Sequence, residues 1–447
     1  MSRRRIYLDY AATTPLDPRV KKAMEPFLLN TFGNPSSIHT EGLAAKKALD
    51  AARIAVARSL EVHADEIVFT SGGTEANNLA IHGVLNALAD IRRLDPDTKP
   101  QMDADSLSAQ ISVDNLRSSA YSQRESAGER PHVVTTNIEH ASVLEPLREL
   151  ERQGRAAVTY VSVEPNGIVN PEKILAAIRP HTALVSVMYV NNEIGTIQPI
   201  AKIGKIIQSV KGQKSKVTGP TGTAYPLFHV DACQAPLYLR CVVNALGVDL
   251  MTLDGHKMYG PKGVGALYVR RPRALGERNG RVGTSLAPLL FGGGQERGLR
   301  STTENVTGIV GFAESLSIAV RERSKESARL AKLRNRLYSN IPQNIGITGV
   351  AVNGSMREGE RLPNNLNISL LGVDTELLTL QLDAAGISVS TKSSCLKDAR
   401  ESYVVKALGG TLERSYGTLR FTLGRSTVEK DMRDTARILR ELLAAKH

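Results

Sequence analysis

Asp249-Leu-Met-Thr-Leu-Asp254-Gly-His-Lys257-Met-Tyr-Gly-Pro-Lys-Gly263 is the stretch on which the reading of this chain turns. Residues 248–253 are an apolar run too short for a helix, interrupted mainly by Asp249 and Thr252, and they read as a buried strand. The strand breaks at Asp254-Gly255-His256-Lys257, passes through a Gly/Pro-rich loop and is followed by a second strand over 265–269. A lysine delivered from a strand end into a loop of small residues can face a cleft and lose part of its hydration, which suits an amine for covalent chemistry. By itself the pattern also fits a solvated surface lysine, the usual fate of that residue type.

Two further stretches narrow the choice. Tyr225-Pro-Leu-Phe-His-Val-Asp231-Ala-Cys-Gln234 is another apolar run, and it ends on a carboxylate. Ligands of parallel α/β sheets sit outside the carboxyl ends of the strands, so two such ends can meet at one pocket. A lysine and an aspartate converging there match the needs of pyridoxal phosphate: the amine bonds the aldehyde as an imine, and the carboxylate keeps the ring nitrogen protonated. Asp231 could equally cap a following helix. The third stretch, Glu66-Ile-Val-Phe-Thr-Ser-Gly72-Gly73-Thr74-Glu75, reads as strand, glycine turn and helix start. Its glycines allow close backbone approach, and the free amides of a helix N-terminus favour a phosphate, although a lone motif of this kind is also an ordinary strand-to-helix turn.

Taken with Tyr7-Leu-Asp-Tyr-Ala-Ala-Thr-Thr14, Phe32-Gly-Asn-Pro-Ser36, Glu139-His140, Val190-Asn-Asn-Glu-Ile-Gly195, Gly292-Gly-Gly-Gln-Glu-Arg-Gly298 and Leu419-Arg-Phe-Thr-Leu-Gly-Arg425, these stretches run in order over nearly the whole chain. In that order the chain resembles the cysteine desulfurases of the class V aminotransferase family, the group associated with iron–sulfur cluster assembly. The resemblance implies an α/β protein of the PLP-dependent transferase fold type I. Its large domain, 16–295, would hold a mostly parallel sheet covered by helices, and 1–15 with 296–447 would form a smaller C-terminal α/β domain.

The resemblance also implies residue roles. Lys257 would carry pyridoxal 5'-phosphate covalently and later move protons, and Asp231 would pair with the ring nitrogen. His140 would lie against the ring face, although as a residue it also fits a helix cap or a core histidine. Asn192 and Gln234 would hold the ring hydroxyl oxygen. Gly73, Thr74, His256 and, from a second subunit, Thr303 would cradle the phosphate, which implies a homodimer with shared active sites. Arg420 would grip the carboxylate of L-cysteine through its guanidinium fork, with Asn34 assisting. Cys395, in a polar loop between Lys392 and Lys397, would take the sulfur as a persulfide, the lysines lowering its pKa from about 8.5. At Asp254 the family carries a small hydroxyl residue that touches the phosphate, and the run Thr391-Lys-Ser-Ser-Cys-Leu396 also departs from the family's. The other readings are a selenocysteine lyase or another class V enzyme, an aminotransferase-like enzyme with an incidental loop cysteine, and an RNA- or partner-binding protein that has lost catalysis.

Composition bounds the rest. A chain of 447 residues, 41% hydrophobic, can bury more than one core. The basic start Ser2-Arg-Arg-Arg5 leads into no apolar signal core, and no stretch approaches the roughly 18 apolar residues a spanning helix needs, so a cytoplasmic protein without membrane contact is expected. Three cysteines without a Cys-x-x-Cys pair suggest neither a zinc site nor a disulfide framework. The net charge of +12 is scattered, without a compact basic run or interleaved aromatics, and reads as a basic solvated surface more readily than as a site for RNA or an acidic partner, while the resemblance implies a sulfur-acceptor protein (a cluster scaffold or a tRNA-thiolation carrier) as partner. Helical periodicity is expected at 20–29, 42–60 and 306–337, and in a final amphipathic helix near 428–445. Strands are expected at 67–70, 132–136, 157–161 and 183–190. Polar insertions are expected at about 95–131 and 211–224.

Overall fold

The computed structural model describes residues 4–94, 130–211, 213, 217, 224–271, 286–341, 349–391 and 401–444. The expected insertion at 95–131 therefore lies almost wholly outside the described residues, most of 211–224 does too, and so does Cys395 with its flanking lysines.

After a two-residue strand, β1 (Ile6–Tyr7), seven runs of apolar and β-branched residues pair into one sheet. They are β2 (Ile67–Thr70), β3 (His132–Thr136), β4 (Ala157–Val161), β5 (Thr182–Met188), β6 (Leu227–Asp231), β7 (Leu250–Asp254) and β8 (Gly265–Val269). Their spatial order is β2-β8-β7-β6-β5-β3-β4. The pairs β7–β6, β6–β5, β5–β3 and β3–β4 are parallel, and β8 runs antiparallel to both its neighbours. All seven residues of β5 and all five of β6 are buried, as parallel strands covered on both faces must be. One core lies under the helix Ile200–Val210 and part of the helix Thr40–Leu60, and a second lies under the helices Gly73–Leu94 and Ala141–Arg152. The alternation read from the sequence thus becomes the large, mostly parallel sheet expected of it.

A smaller C-terminal α/β unit holds the antiparallel strands β9 (Val350–Val352), β10 (Asn365–Leu370) and β12 (Thr418–Thr422), with β11 (Ile387–Ser388) paired in parallel to β1. The helix Val306–Asn340 joins the two units. Ile309, Phe312 and Leu316 belong to the large core, whereas Leu330, Leu333 and Leu337 pack with Leu366, Ile368 and Phe421.

Local chemistry moved some boundaries. The helix expected at 20–29 is two helices, Pro18–Met24 and Pro26–Leu29, because Pro26 has no N–H to continue the first ladder. The strand expected to begin at Val248 begins at Leu250, since the Val248 carbonyl accepts from the Arg270 guanidinium instead.

Candidate active site

Four parallel strands end along one edge of the sheet, and each delivers a residue singled out in the sequence. β3 leads to His140, β5 to Asn192, β6 ends at Asp231 just before Gln234, and β7 ends at Asp254 just before His256 and Lys257. The register extends the row: Asp254 faces Gly265 of β8, and Gly265 faces Thr70 of β2, so the Gly72-Gly73 turn opens on the same edge. A Cβ on Gly265 would stand 2.8 Å from the Gly72 Cα, so only glycine lets the turn lie against the strand.

Lys257 closes a single helical turn, Gly255–Lys257, and is half-buried. Its Nζ donates to the carbonyls of Ala11 and Ala12, each at 2.8 Å. The same N-terminal segment takes the Gln234 side chain, whose Nε2 donates to Ala11 O at 3.0 Å, and Thr13 Oγ1, which lies 3.0 Å from His256 Nδ1. The Tyr7–Thr14 stretch is thus a lid of backbone carbonyls over the lysine, a role its residue types do not advertise.

Asp231 is buried, and its two oxygens are separately engaged. Oδ1 accepts the Cys233 N–H at 3.0 Å, and Oδ2 accepts from Asn77 Nδ2 at 2.8 Å. Asn77 also donates to Ser142 Oγ at 2.8 Å, and Ser142 meets His140 Nδ1 at 2.8 Å. One continuous network therefore joins Asp231 to His140. His140 is itself the N-cap of the helix Ala141–Arg152, with Nδ1 accepting the Ser142 N–H at 3.1 Å. The capping reading of this residue thus holds, and the cap aligns the ring with the Asp231 network. Asn77 was not singled out in the sequence. Its signal was its place one helical turn after Gly73, on the buried face of the helix.

Beside His140, Glu139 is fully buried. Its Oε1 accepts from Thr136 Oγ1 at 2.6 Å and from the Met188 N–H at 3.0 Å, and its Oε2 has no partner among the described residues. Burial pushes its carboxyl up to about 8, so it is neutral over the ordinary pH range. The Tyr403 hydroxyl donates to the Glu139 carbonyl, and Ser402 Oγ donates to Glu193 Oε2 at 2.6 Å, anchoring the start of helix Tyr403–Ala407 to the site.

Arg420, on β12, is 1% exposed. Nη2 donates to Asp9 Oδ1 at 2.7 Å and Nη1 to the Asn192 carbonyl at 3.1 Å, while the buried Nε has no partner among the described residues. Asp9, another residue passed over in the sequence, holds this guanidinium from 411 positions away.

Two predicted residues stand apart. Asn34 is exposed, with its Oδ1 turned onto the Ser36 N–H at 2.9 Å, and Thr303 is exposed too. No hydrogen bond among the described residues joins either to the Lys257 cluster. Thr74 starts its helix exposed to solvent. Cys395 lies outside the described residues. Of the described cysteines, burial, with Asp231 and Asp254 adding, holds the Cys233 thiol well above its ordinary range, and burial pushes Cys241 up to about 12. Both are neutral thiols and weak nucleophiles.

The donor set fits pyridoxal phosphate at Asp231, Lys257 and Gly73, and the substrate at Arg420. Asp231 is a buried, oriented carboxylate of the kind a protonated ring nitrogen needs, and Lys257 closes the helical turn after the next strand. The Arg420 guanidinium, held on Asp9, has the charge that a substrate carboxylate needs. Gly73 makes a bare cup, since a Cβ there would stand 2.6 Å from Cys233 Sγ. At one point the set is of the wrong sign: Asp254 Oδ2 accepts the Gly73 N–H at 2.8 Å, the amide expected to meet the phosphate.

Comparison with known proteins gives concordant findings. The family described as Aminotransferase class-V matches residues 6–95 and 114–434. Cysteine desulfurase IscS of Dictyoglomus turgidum is 38% identical over 443 residues, covering 99% of this chain and 95% of its own. Cysteine desulfurase IscS of Glaesserella parasuis is 40% identical over 441 residues, covering 98% and 92%. Among solved structures, a NifS-like protein superposes with a TM-score of 0.78 at 31% identity, covering 99% of this chain and all of that one. SspA in complex with cysteine gives 0.70 at 30% identity, covering 95% and 100%.

Proposed function

The chain belongs to the class-V aminotransferase family, and from that premise we propose that it is a pyridoxal-phosphate-dependent cysteine desulfurase, converting L-cysteine to L-alanine and supplying sulfur for iron–sulfur cluster or thio-cofactor synthesis. The observation that carries the reading is the delivery of Lys257 and Asp231 from the carboxyl ends of the neighbouring parallel strands β7 and β6, both close enough to act electrostatically on the Cys233 thiol. The cofactor supplies an electron sink when bound.

The chain's own groups divide the remaining work. Arg420, held by Asp9, receives the carboxylate of L-cysteine through its guanidinium fork, with Asn34 and Asn192 assisting. Lys257 Nζ takes and returns the substrate's Cα proton. Asp231, held by Asn77, keeps the proton on the ring nitrogen, and His140 and Gln234 orient the ring. Gly73, Thr74 and His256 would hold the phosphate. The Cys395 thiolate attacks the substrate sulfur: an S–S bond forms, the Cβ–S bond breaks with its electron pair passing to carbon, and that carbon takes a proton to become alanine. The sulfur stays on Cys395 as a persulfide for an acceptor protein. The neutral state of Cys233 and Cys241 supports this choice of nucleophile.

The assignment of 16–295 to one domain and of 1–15 with 296–447 to the other is supported by the β1–β11 pair and by the separate core around Leu366 and Phe421. A homodimer that brings Thr303 to its partner's phosphate site is supported by the exposure of Thr303 and by the exposed apolar side chains Leu29, Phe32, Ile38 and Phe291. No helix of the described residues is long and apolar enough to cross a membrane. A reducing cytoplasm suits the free thiol.

The test is Cys395→Ser in the cofactor-loaded enzyme. L-cysteine should still perturb the cofactor spectrum while alanine formation stops, and mass spectrometry of the wild type should find added sulfur on Cys395 and on neither Cys233 nor Cys241. Alanine release at the wild-type rate from the variant, with a reductant present, would sink the mechanism.

A further inference from the structure

We infer that Asp254 sets the affinity of this site for the cofactor's phosphate, because its carboxylate holds the same backbone amide and the same imidazole that the phosphate must engage. The inference rests on the reading of the site as a pyridoxal phosphate site. Oδ2 accepts the Gly73 N–H at 2.8 Å and lies 3.5 Å from His256 Nε2, and Oδ1 accepts the His256 N–H at 3.3 Å. The carboxylate is buried at the N-terminus of the helix Gly73–Leu94, where the free amides and the helix dipole already favour an anion. It is therefore an internal anion seated where the cofactor's own anion belongs.

Asp254 cannot swing clear by moving its backbone. It is the last residue of β7, paired across to Gly265, and the Gly255 N–H is bonded to the Val264 carbonyl. Nor is it neutral. Burial alone would raise its pKa, but the His256 hydrogen bond and charge, the Gly73 amide and the Lys257 charge outweigh it and hold the carboxyl below its ordinary range. Among the described residues the Cys233 thiol also acts on Asp254, and it supplies no positive charge. A phosphate engaging Gly73 must therefore share or displace a fixed negative charge, and among the described residues His256 and Lys257 are the cations that act on that charge. In exchange, Asp254 satisfies the Gly73 amide when no phosphate is there, which stabilises the cofactor-free chain. The design trades cofactor affinity for the integrity of the empty site.

The measurement uses the full chain as wild type, Asp254→Asn and Asp254→Ser, titrated at equilibrium with pyridoxal phosphate and, in parallel, with pyridoxal, which lacks the phosphate. Binding is read as the absorbance of the borohydride-reducible adduct at Lys257, and the melting temperature of each cofactor-free chain is recorded. Both substitutions should tighten pyridoxal phosphate at least about tenfold, which is about 1.4 kcal/mol, and leave pyridoxal within about twofold. The cofactor-free Asp254→Ser chain should melt lower than wild type. Asp254→Asn keeps the shape of the side chain and Asp254→Ser the smaller family-like hydroxyl, so either one that folds gives the answer. An unchanged or weaker affinity for pyridoxal phosphate in a cooperatively melting variant overturns the inference, as does equal tightening of pyridoxal. Failure of both aldehydes to form an adduct at Lys257 in every chain would instead overturn the reading of the site itself.

Discussion

Replacing Glu139 by glutamine should flatten the dependence of stability on pH. The carboxyl is fully buried, and its folded pKa of about 8 lies above the ordinary 4.5 because burial penalises the charged form more than its bonds from Thr136 and the Met188 amide favour it. The sign follows from proton counts. Between about pH 4.5 and 8 the folded chain keeps this proton and the unfolded chain has lost it, so stability falls as pH rises through the window and levels off above the folded pKa. At about 1.4 kcal/mol per pH unit, the Glu139 contribution falls by about 3 kcal/mol between pH 5.5 and 8. Glutamine has the same shape, keeps one oxygen for Thr136 and Met188, and carries no titratable proton. Its amide nitrogen takes the place of an Oε2 that has no partner among the described residues, so its absolute stability near pH 5.5 should be close to that of wild type. Urea denaturation midpoints of both chains at half-unit steps from pH 5 to 9 isolate the difference, because every other titrating group contributes equally to both. The two chains should converge near pH 5.5, with Glu139→Gln the more stable by about 3 kcal/mol at pH 8. Parallel curves across the whole range would refute the reasoning.

The other expectations concern the electron sink and a buried ion pair. Asp231→Ala should retain part of its bound cofactor but lower alanine formation at least about 100-fold, since a ring nitrogen without its counter-charge holds its proton poorly; near-normal turnover would show that another group does this work. Arg53→Ala should lower stability by about 3–5 kcal/mol, measured as a shift in denaturation midpoint, because it leaves the Glu296 carboxylate, which is 6% exposed, with the Phe69 amide as its one hydrogen-bond donor among the described residues. A loss below about 1 kcal/mol would mean that Glu296 finds water or another cation.

The sequence by itself determined the strands that end at the site and the residues on their ends. Strand burial is written in short-range pattern: Ile67–Thr70, His132–Thr136, Ala157–Val161 and Gly265–Val269 fall where their apolar, β-branched runs put them. The strand ends at Asp231 and Asp254, with Lys257 closing the turn after the latter, were legible for the same reason, since each run is short and apolar. Only the tertiary structure decided what holds them. Asn77 reaches Asp231 across 154 positions, Arg53 meets Glu296 across 243, and Asp9 meets Arg420 across 411. Such pairs leave no local period, because a side chain's partner depends on how the strands are ordered in space and not on its neighbours in the chain. The same holds for Asp254. Its identity showed a charge near the Gly72-Gly73 turn, but the choice between turning away and taking the Gly73 amide lay in the β7–β8 register, which sets the buried carboxylate between the Gly73 N–H and His256, the donors that satisfy it.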